Sequence, residues 1–398
     1  MKGPSWPAWG PVVAADQQRE RVEILPVTGK AAMERFIRLP ERLMRGDPAW
    51  IAPLRLERRM AFSTRRNPYF RHAEAAFWLA LRDGRAVGRI SAQQDHLAPQ
   101  AVEGSPAGHF GLLAAEDDAE IHAALLGAAE AWCAAHGTRH ITGPFSLSIN
   151  EETGLLVQGF DTPPMLMMPH DPPYIGGHLE RLGYRREQDL LAYRVETASP
   201  GLPAAARLVS RGLPPGTVLR PLRRAALRQE VALLVEIFND AWAGNWGFVP
   251  ITQEEVDAMA AALKPLLHER LVWFAEIGGE AVAFAVCLPN LNEAIRGLGG
   301  RLFPFGWAKL LWRLKVDGVR TARVPLMGVR RSHASGLLGR VLPFFFVDAL
   351  RREARAMGIR TIEMSWVLEN NLPMRRLAES VGGEVYKTYR VYGRDLAA

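Results

Sequence analysis

The residues with the clearest chemical potential follow one short strand in the second half of the chain. Val324–Val329 is predicted to be a strand, Arg330–Ser335 a basic loop, and Gly336 the residue that opens a helix. The first amides of a helix lack backbone partners and carry partial positive charge, so they bind anions. The pattern therefore predicts a phosphate site, although an ordinary strand–turn–helix with two solvated arginines is the alternative. Its candidate ligands are Val329, Arg330, Arg331, Ser332, His333, Ser335 and Gly336.

Three further side chains could move a proton. His170 stands between Pro169 and a run of Asp and two prolines, so it lies on a stiff loop and can titrate near neutrality. Glu363 belongs to a predicted strand beside the phosphate loop, and Asp161 lies in the same first-half segment as His170. A loop-packing histidine and a salt-bridged glutamate are the alternatives. We predict His170, Glu363 and Asp161 as catalytic candidates.

Composition narrows the class of protein. The chain has 398 residues, 48% of them hydrophobic, and a net charge of +7, which favours an anionic partner. Its two cysteines are far apart, so a disulfide framework is not indicated. We expect no signal peptide, no membrane-spanning helix and no bound metal, because no long apolar run and no ligand cluster is evident.

The chain divides into two similar parts. A loose arm is expected at residues 1–20, a first domain at 21–197, a linker rich in Pro, Ala and Gly at 198–216, and a second domain at 217–398. Each domain has a predicted hairpin, around Asp83-Gly84 and Gly278-Gly279. Residues 139–148 are predicted to be a strand. Pro343 implies that the second domain's long helix either starts near Leu342 or kinks.

An internal repeat supports a duplicated scaffold. The pattern Ala135-x-Gly137-x-Arg139-x-Ile141 recurs as Ala356-x-Gly358-x-Arg360-x-Ile362, and the same spacing carries Asn150 onto Asn371. The spacing also places the first half's version of the phosphate loop at Gly108–Asp118, where three consecutive acids would repel a phosphate. We therefore expect a phosphate site only in the second half. The remaining length differences predict insertions at 151–178 and 295–320.

These motifs resemble the GNAT acyltransferase superfamily. Its pyrophosphate loop, Gln/Arg-x-x-Gly-x-Gly/Ala, is matched in part: Gly336 fits, His333 is the basic residue, and Leu338 replaces the second small residue. Its signature Asn-x-x-Ala-x-x-x-Tyr-x-x-x-Gly-Phe is matched by Asn371 and Gly382. Ala378 stands where many members have a Tyr that protonates the leaving thiolate. The resemblance implies an α/β fold of two tandem GNAT-like domains, each a mixed, mostly antiparallel sheet flanked by helices. It also implies acyl-CoA as co-substrate on the loop, with Asn371 beside it.

A closer resemblance rests on the first-half insertion. The runs GPFSLSINEE (143–152) and MMPHDPPY (167–174), together with NWGFVP (245–250), look like the tandem-GNAT bacterial ceramide synthase group. This implies N-acylation of a sphingoid long-chain base, with acyl-CoA or acyl carrier protein as donor. It also implies a cytoplasmic protein, peripheral on the inner face of the cytoplasmic membrane. Predicted substrate-binding residues in the second half are Trp242, Trp246, Phe248, Trp307 and Trp312.

The second-half insertion suits such a lipid substrate. Residues 301–315 mix bulky apolar and basic side chains, with Lys309 and Arg313 on one helical side and Trp312 largely opposite. A segment of this kind can lie in a membrane interface. The alternative is a helix that packs on an inserted lid.

Two other classes of function remain open. A tandem-GNAT aminoacyltransferase would take its donor from aminoacyl-tRNA, and a non-catalytic lipid- or nucleotide-binding module would explain the degenerate signature. A plain nucleic-acid binder is disfavoured, because no basic run has the aromatic spacing of a known reader. We expect no nucleic-acid partner.

Overall fold

A computed structural model describes residues 21–100, 102–199, 201–263 and 267–396. The arm predicted at residues 1–20 lies outside this range. Within it, no helix is both long and apolar enough to cross a bilayer. Cys133 and Cys287 are buried and free.

The described part of the first half consists of seven named strands and four named helices. Its strands are β1 (Glu23–Pro26), β2 (Ala73–Arg82), β3 (Arg85–Asp95), β4 (Gly108–Ala115), β5 (His140–Gly143), β6 (Leu155–Gln158) and β7 (Arg185–Glu196). Its helices are α1 (Gly29–Leu43), α2 (Arg55–Ala61), α3 (Ala119–Ala135) and α4 (Tyr174–Arg181). Their order along the chain is β1-α1-α2-β2-β3-β4-α3-β5-β6-α4-β7.

The second half repeats the plan after helix α5 (Pro203–Ser210), which lies within the predicted linker. Its strands are β8 (Thr217–Pro221), β9 (Val272–Ile277), β10 (Glu280–Pro289), β11 (Thr321–Val329), β12 (Thr361–Leu368) and β13 (Glu384–Asp395). Its helices are α6 (Leu227–Trp242), α7 (Gln253–Leu263), α8 (Leu291–Ile295), α9 (Gly306–Trp312), α10 (Arg331–Ala334), α11 (Leu337–Ala356) and α12 (Leu372–Ser380).

All thirteen of these strands form one sheet. Twelve follow the order β1-β2-β3-β4-β5-β13-β7-β12-β11-β10-β9-β8, and β6 pairs with β13. Only β4–β5 and β11–β12 are parallel. The last strand of each half is exchanged: β7 pairs with β12 of the second half, and β13 pairs with β5 of the first. The mixed α/β prediction is confirmed, and the exchange makes the halves one continuous structure.

Both predicted hairpins are confirmed. β2 turns into β3 at Asp83-Gly84, where both residues have positive φ (54° and 72°), as the tight hairpin turn requires. β9 turns into β10 at Gly278-Gly279 in the same way (58° and 87°).

Two predicted boundaries are wrong. The strand expected at 139–148 ends at Gly143, because Pro144 has no amide to donate and the chain then crosses the end of β4, where the Phe145 amide donates to the Phe110 carbonyl. The first-half loop expected at Gly108–Asp118 is mostly strand β4, and the loop itself is only residues 116–118.

The long helix of the second half begins earlier than its proline suggested. α11 starts at Leu337 and keeps Pro343 inside it. Its inner face, which includes Phe346 and Leu350, packs on the sheet in the largest buried cluster. Packing of this face outweighs the cost of the proline and fixes the helix behind β11.

Candidate functional site

The site is built around a gap between β11 and β12. These strands pair only from Thr321 to Val324, although β11 continues to Val329. On the far side of β11, the Arg330 amide donates to β10. Because peptide groups alternate along an antiparallel ladder, those of Met327 and Val329 point toward the gap. The gap therefore presents backbone polar groups at the place where β12 has diverged.

The predicted phosphate loop lies at the end of this gap and is open to solvent. Arg331–Ala334 forms the short helix α10, and Gly336 is the N-cap of α11. Arg331, Ser332, Ser335 and Gly336 are all exposed, and His333 is half-buried. The loop and the N-terminus of the 20-residue helix α11 thus face outward, where an anion can approach them.

The two arginines of the loop are less free than the sequence suggested. Arg330 donates to Glu236 (2.9 Å), and the Arg331 backbone amide donates to Asp240 (2.8 Å). Both acids belong to α6. Arg331 keeps 65% of its side chain exposed and contacts Asp240 at 3.3 Å. Arg330 is therefore a structural ion-pair residue, whereas Arg331 can still reach a ligand.

Asn371 does not point at the loop. Its side chain accepts from the Met374 amide at 3.2 Å and caps α12. Helix capping accounts for this residue, so its predicted cofactor contact has no support in the geometry.

A buried polar cluster lies at the base of the gap. Arg323 on β11 and Glu363 on β12 form an ion pair at 3.7 Å, and both side chains are almost wholly buried. Ser365 and Tyr386 donate to the two Glu363 oxygens, and Arg323 also donates to Ser365 at 2.8 Å. Because its oxygens are occupied, Glu363 organises the cluster and is not free to take a proton directly.

Lys387 on β13 is buried beside this cluster. Its ammonium donates to the carbonyls of Gly159 and Thr162 (2.7 Å for Thr162) in the first-half insertion. Burial lowers the pKa of Lys387 to about 8. The lysine thereby fixes the insertion over the exchanged strand.

His170 forms a pair with Asp47. His170 Nε2 lies 2.8 Å from Asp47 Oδ2, and its ring is 1% exposed. His170 Nδ1 is buried and has no partner within the described chain. Burial lowers the pKa of His170, so the ring is neutral at pH 7. An oriented neutral histidine with one free nitrogen is the geometry of a general base.

All three catalytic candidates interact with Lys387 through charge. The charges of Glu363 and Asp161 oppose the lowering of the Lys387 pKa by burial, and the charge of Lys387 adds to the lowering of the His170 pKa. Asp161 itself is exposed. The structure therefore brings residues from β12, β13 and the first-half insertion to one place, with Asp161 at its solvent side.

The first-half insertion contacts the second half beside the gap. Arg323 donates to the Leu166 carbonyl at 2.9 Å, and Asn292 donates to the carbonyls of Pro164 (3.2 Å) and Met165 (2.9 Å). The second-half insertion also rests on the first half, where the Arg55 amide donates to the Gly300 carbonyl. Residues of both halves thus line the approach to the polar cluster.

The predicted substrate-binding aromatics fall in three places. Trp242 donates to the Met327 carbonyl (3.4 Å) and lies against Phe238, which also contacts Phe248. Trp246 lies instead against the first half, beside Ile149. Trp307 and Trp312 are on the outer surface.

The second-half insertion exposes an unusual amount of apolar surface. We call residues 302–316 the apolar segment; it comprises a short coil, α9 and part of a π-helical turn at Arg313–Asp317. Lys309 and Lys315 are exposed within it. Its exposed large side chains are Phe303 (76%), Phe305 (78%), Trp307 (48%), Leu311 (46%), Trp312 (60%) and Val316 (59%). A patch of this kind marks a binding surface.

The corresponding place in the first half is closed. Residues 144–147 fill the space between β4 and β5, and Gln93 donates to the carbonyls of Phe145 (3.0 Å) and Leu147 (3.3 Å). At the start of α3, Asp118 caps the helix and Glu116 pairs with Arg42. An acidic, filled first-half gap agrees with the prediction that only the second half has a phosphate loop.

Sequence reasoning missed Asp47, Arg323 and Lys387. Arg323 and Lys387 interrupt apolar strand patterns, which is a signal for a buried functional charge. Asp47 gives no such signal, because it lies in an ordinary polar turn. No group of metal-binding side chains occurs among the residues described.

Two curated proteins are similar over nearly the whole chain. The bacterial ceramide synthase of Caulobacter vibrioides is 52% identical over 381 residues, which cover 96% of this chain and 99% of that protein. Protein YghO of Escherichia coli is 45% identical over 367 residues, covering 92% and 94% respectively. No known family profile matches the chain.

Solved structures share the fold at low sequence identity. A tandem GNAT protein from the clavulanic acid pathway has a TM-score of 0.57 at 14% identity and covers 95% of this chain and 99% of its own. A GCN5-related N-acetyltransferase from Sphaerobacter thermophilus has a TM-score of 0.51 at 14% identity, covering 94% and 96%. The predicted tandem GNAT fold is therefore confirmed.

Proposed function

The chain belongs to the bacterial ceramide synthase family of tandem GNAT-fold N-acyltransferases, and from that premise we propose that it transfers a fatty acyl group from an acyl thioester to the amine of a sphingoid long-chain base. The observation that carries the proposal is the gap between β11 and β12, which has an open helix N-terminus at one end and a buried polar cluster at its base.

The donor is acyl-CoA or an acyl carrier protein thioester. Its phosphate lies against the loop at residues 331–336 and the first amides of α11, with Arg331 as the mobile cation. The acyl thioester extends along β11 toward the peptide groups of Met327 and Val329 that point into the gap. Their amides can donate to the carbonyl oxygen as negative charge develops on it.

The acceptor amine attacks the thioester carbon, the C–N bond forms, and the C–S bond breaks. His170 takes the proton that the amine loses, since its Nδ1 is unpartnered and Asp47 fixes its ring. The departing thiolate takes up a proton from His170 or solvent. Glu363 and Lys387 position the strands and the insertion around these groups.

The acceptor arrives from a membrane surface, on which the protein is peripheral at the cytoplasmic face. The aromatic side chains of the apolar segment can enter the interface, while Lys309 and Lys315 interact with anionic headgroups. The chain just before the segment rests on the first half, where the Arg55 amide donates to the Gly300 carbonyl, and the same loop region carries Asp47. A lipid leaving the bilayer would therefore enter close to His170.

The reaction is tested by incubating the purified protein with a long-chain base and either palmitoyl-CoA or palmitoyl acyl carrier protein, and by reading the product by mass. An amide with at least one donor is expected, and its absence with both would overturn the proposal. A product formed only from aminoacyl-tRNA would replace it with an aminoacyltransferase.

Membrane binding is tested by flotation with vesicles. Replacing Trp307 and Trp312 together by Glu should abolish flotation with anionic vesicles. Leu202→Glu is the matched control, since Leu202 is similarly exposed (53%) but lies outside the apolar segment. Equal flotation of wild type and the double variant would remove the membrane from the proposal.

A further inference from the structure

One cavity lies mainly in the first half. Its volume is about 210 Å³, and it is formed by the first residues of β4 and β5, the chain that follows β5, and a loop of the second half. The lining residues used below are Asp95, His109, Phe145, Ile149, Glu187 and Trp246.

Asp95 forms part of the wall of this cavity, and its side chain is buried. Asp95 is 4% exposed; its Oδ1 accepts from the Leu97 amide (2.9 Å) and lies 2.9 Å from His72 Nδ1. Its Oδ2 is buried and has no partner within the described chain. Burial raises the pKa of Asp95, against the opposing effects of its hydrogen bonds with the Leu97 amide and His72. A buried acceptor of this kind calls for a donor from a ligand.

The charge of the cavity is opposite to that of the protein. Although the whole chain carries +7, neither Lys nor Arg is among the cavity's lining residues, whereas Asp95 and Glu187 are. His140 also lines the cavity and lies between two carboxylates, 2.9 Å from Glu187 and 2.7 Å from Asp395. Burial lowers the pKa of His109 to about 4, so its ring contributes no positive charge. The cavity therefore favours a cation.

The walls favour an organic cation over a metal. Phe145 and Trp246 present aromatic surface, which attracts ammonium groups and packs on alkyl carbons. No cluster of metal-binding side chains is found in the described part of the chain. Phe145, Ile149 and Trp246 also belong to the apolar cluster that contains Tyr386, a partner of Glu363. An apolar path thus connects the cavity to the polar cluster.

We propose that this cavity binds the protonated amine of an amphiphilic primary amine, with the ammonium on Asp95 and the first chain carbons on Trp246 and Phe145. As the proposed acceptor belongs to this chemical class, the inference rests in part on the proposed function and deepens it: the first half, which has no acyl-donor loop, receives the acceptor.

The test is calorimetric titration of the full-length protein with octylamine and, separately, with the neutral N-octylacetamide, in the absence of any acyl donor. Asp95→Asn keeps the Oδ1 acceptor but turns an amide N–H₂ toward the ligand. It should weaken octylamine binding about tenfold or more, because a charge-assisted hydrogen bond is lost. N-octylacetamide should bind wild type more weakly than octylamine and be insensitive to this change. Asp348→Asn, which removes a carboxylate on α11, is the matched control.

Equal octylamine affinity in wild type and Asp95→Asn would overturn the proposal, as would equal affinity of wild type for the amine and the amide. If Asp95→Asn does not fold, two measurements still test the proposal. One is octylamine binding by Glu187→Gln, which lacks the other lining carboxylate, and the second is the comparison of the two ligands on wild type. If octylamine binds through Asp95 but the protein synthesises no amide, the proposed function is overturned and the proposed amine site still stands. Amide synthesis together with unaltered octylamine binding by Asp95→Asn would overturn this site alone.

Discussion

His170 and Asp47 lie 123 residues apart in the sequence and 2.8 Å apart in the fold. The pair explains how a histidine on a proline-stiffened loop could become a base. One nitrogen is held by the carboxylate, and the other is buried without a partner among the described residues. Glu363, by contrast, is fully enclosed by its own partners and serves the architecture of the site.

Replacing His170 by Ala should therefore lower kcat by about 100-fold or more, since general-base catalysis is lost. Asp47→Asn should cause a smaller loss, and the double variant should be no slower than His170→Ala, because Asp47 acts through His170. Initial rates of amide formation measure all three. His136→Ala, a histidine outside the site that is one-third exposed, should be unaffected. Wild-type kcat in His170→Ala would exclude His170 as the base.

Lys387 makes stability depend on pH in a defined window. Its folded pKa is about 8 and its ordinary value is 10.5, so between these values the unfolded chain binds more protons than the folded chain. The free energy of unfolding of wild type, relative to Lys387→Met, should rise by up to about 3 kcal/mol as pH increases from 7.5 to 10. Urea unfolding at several pH values measures this difference. The exposed Lys309→Met control should show no such trend, and a pH-independent difference for Lys387 would contradict the shift.

The residues that sequence could predict are those whose local pattern carries the signal. The proline-rich run around His170 and the strand position of Glu363 are visible in the sequence. Their partners are not, because Asp47 approaches His170, and Lys387 approaches the first-half insertion, only through tertiary structure. Arg330 also shows the limit: its charge is visible, but its pairing with Glu236 on α6 is not.

At the scale of elements, the strand–loop–helix unit of β11, α10 and α11 is what presents the donor loop. Its compactness depends on Gly339, where an added Cβ would lie 2.0 Å from the Ala334 carbonyl oxygen. The sequence does not show that a glycine is required here, because the requirement comes from the close approach of two turns of backbone. Pro343 suggested a helix start near Leu342 or a kink. The helix instead starts at Leu337 and continues through the proline, because packing of its inner face outweighs the cost of the proline.

Gly339→Ala should displace α10, raise the KM for the acyl donor and lower the melting temperature. Gly127→Ala is the matched control: Gly127 lies in α3 with nothing within 4 Å of a new Cβ, so this change should stabilise the protein by about 0.5–1 kcal/mol. Steady-state kinetics and thermal melting separate the two effects. An unchanged donor KM in Gly339→Ala would show that the α10–α11 turn is not part of the donor site.

At the scale of the molecule, exchange of β7 and β13 joins two repeats into one sheet. The repeat pattern predicts two copies of a fold, each of which keeps its own last strand. The sequence does not reveal the exchange, because the order of strands along the chain is the same with or without it. Only the pairing of β7 with β12 and of β13 with β5 reveals the exchange.

Neither half should fold alone. Residues 21–216 and 217–398 expressed separately each lack the partner's last strand, and each exposes a sheet edge. Co-expression should restore a complex that melts in one transition, as followed by circular dichroism. A folded, monomeric first half with a melting transition like that of the whole chain would contradict this dependence.

The division of labour between the halves is tested most directly by amide hydrogen exchange with and without saturating acyl-CoA. Protection is expected at the amides of residues 331–340, around the loop and the start of α11, while residues 116–122 at the start of α3 exchange at unchanged rates. Protection at the start of α3, or none at the start of α11, would contradict the assignment of the acyl donor to the second half.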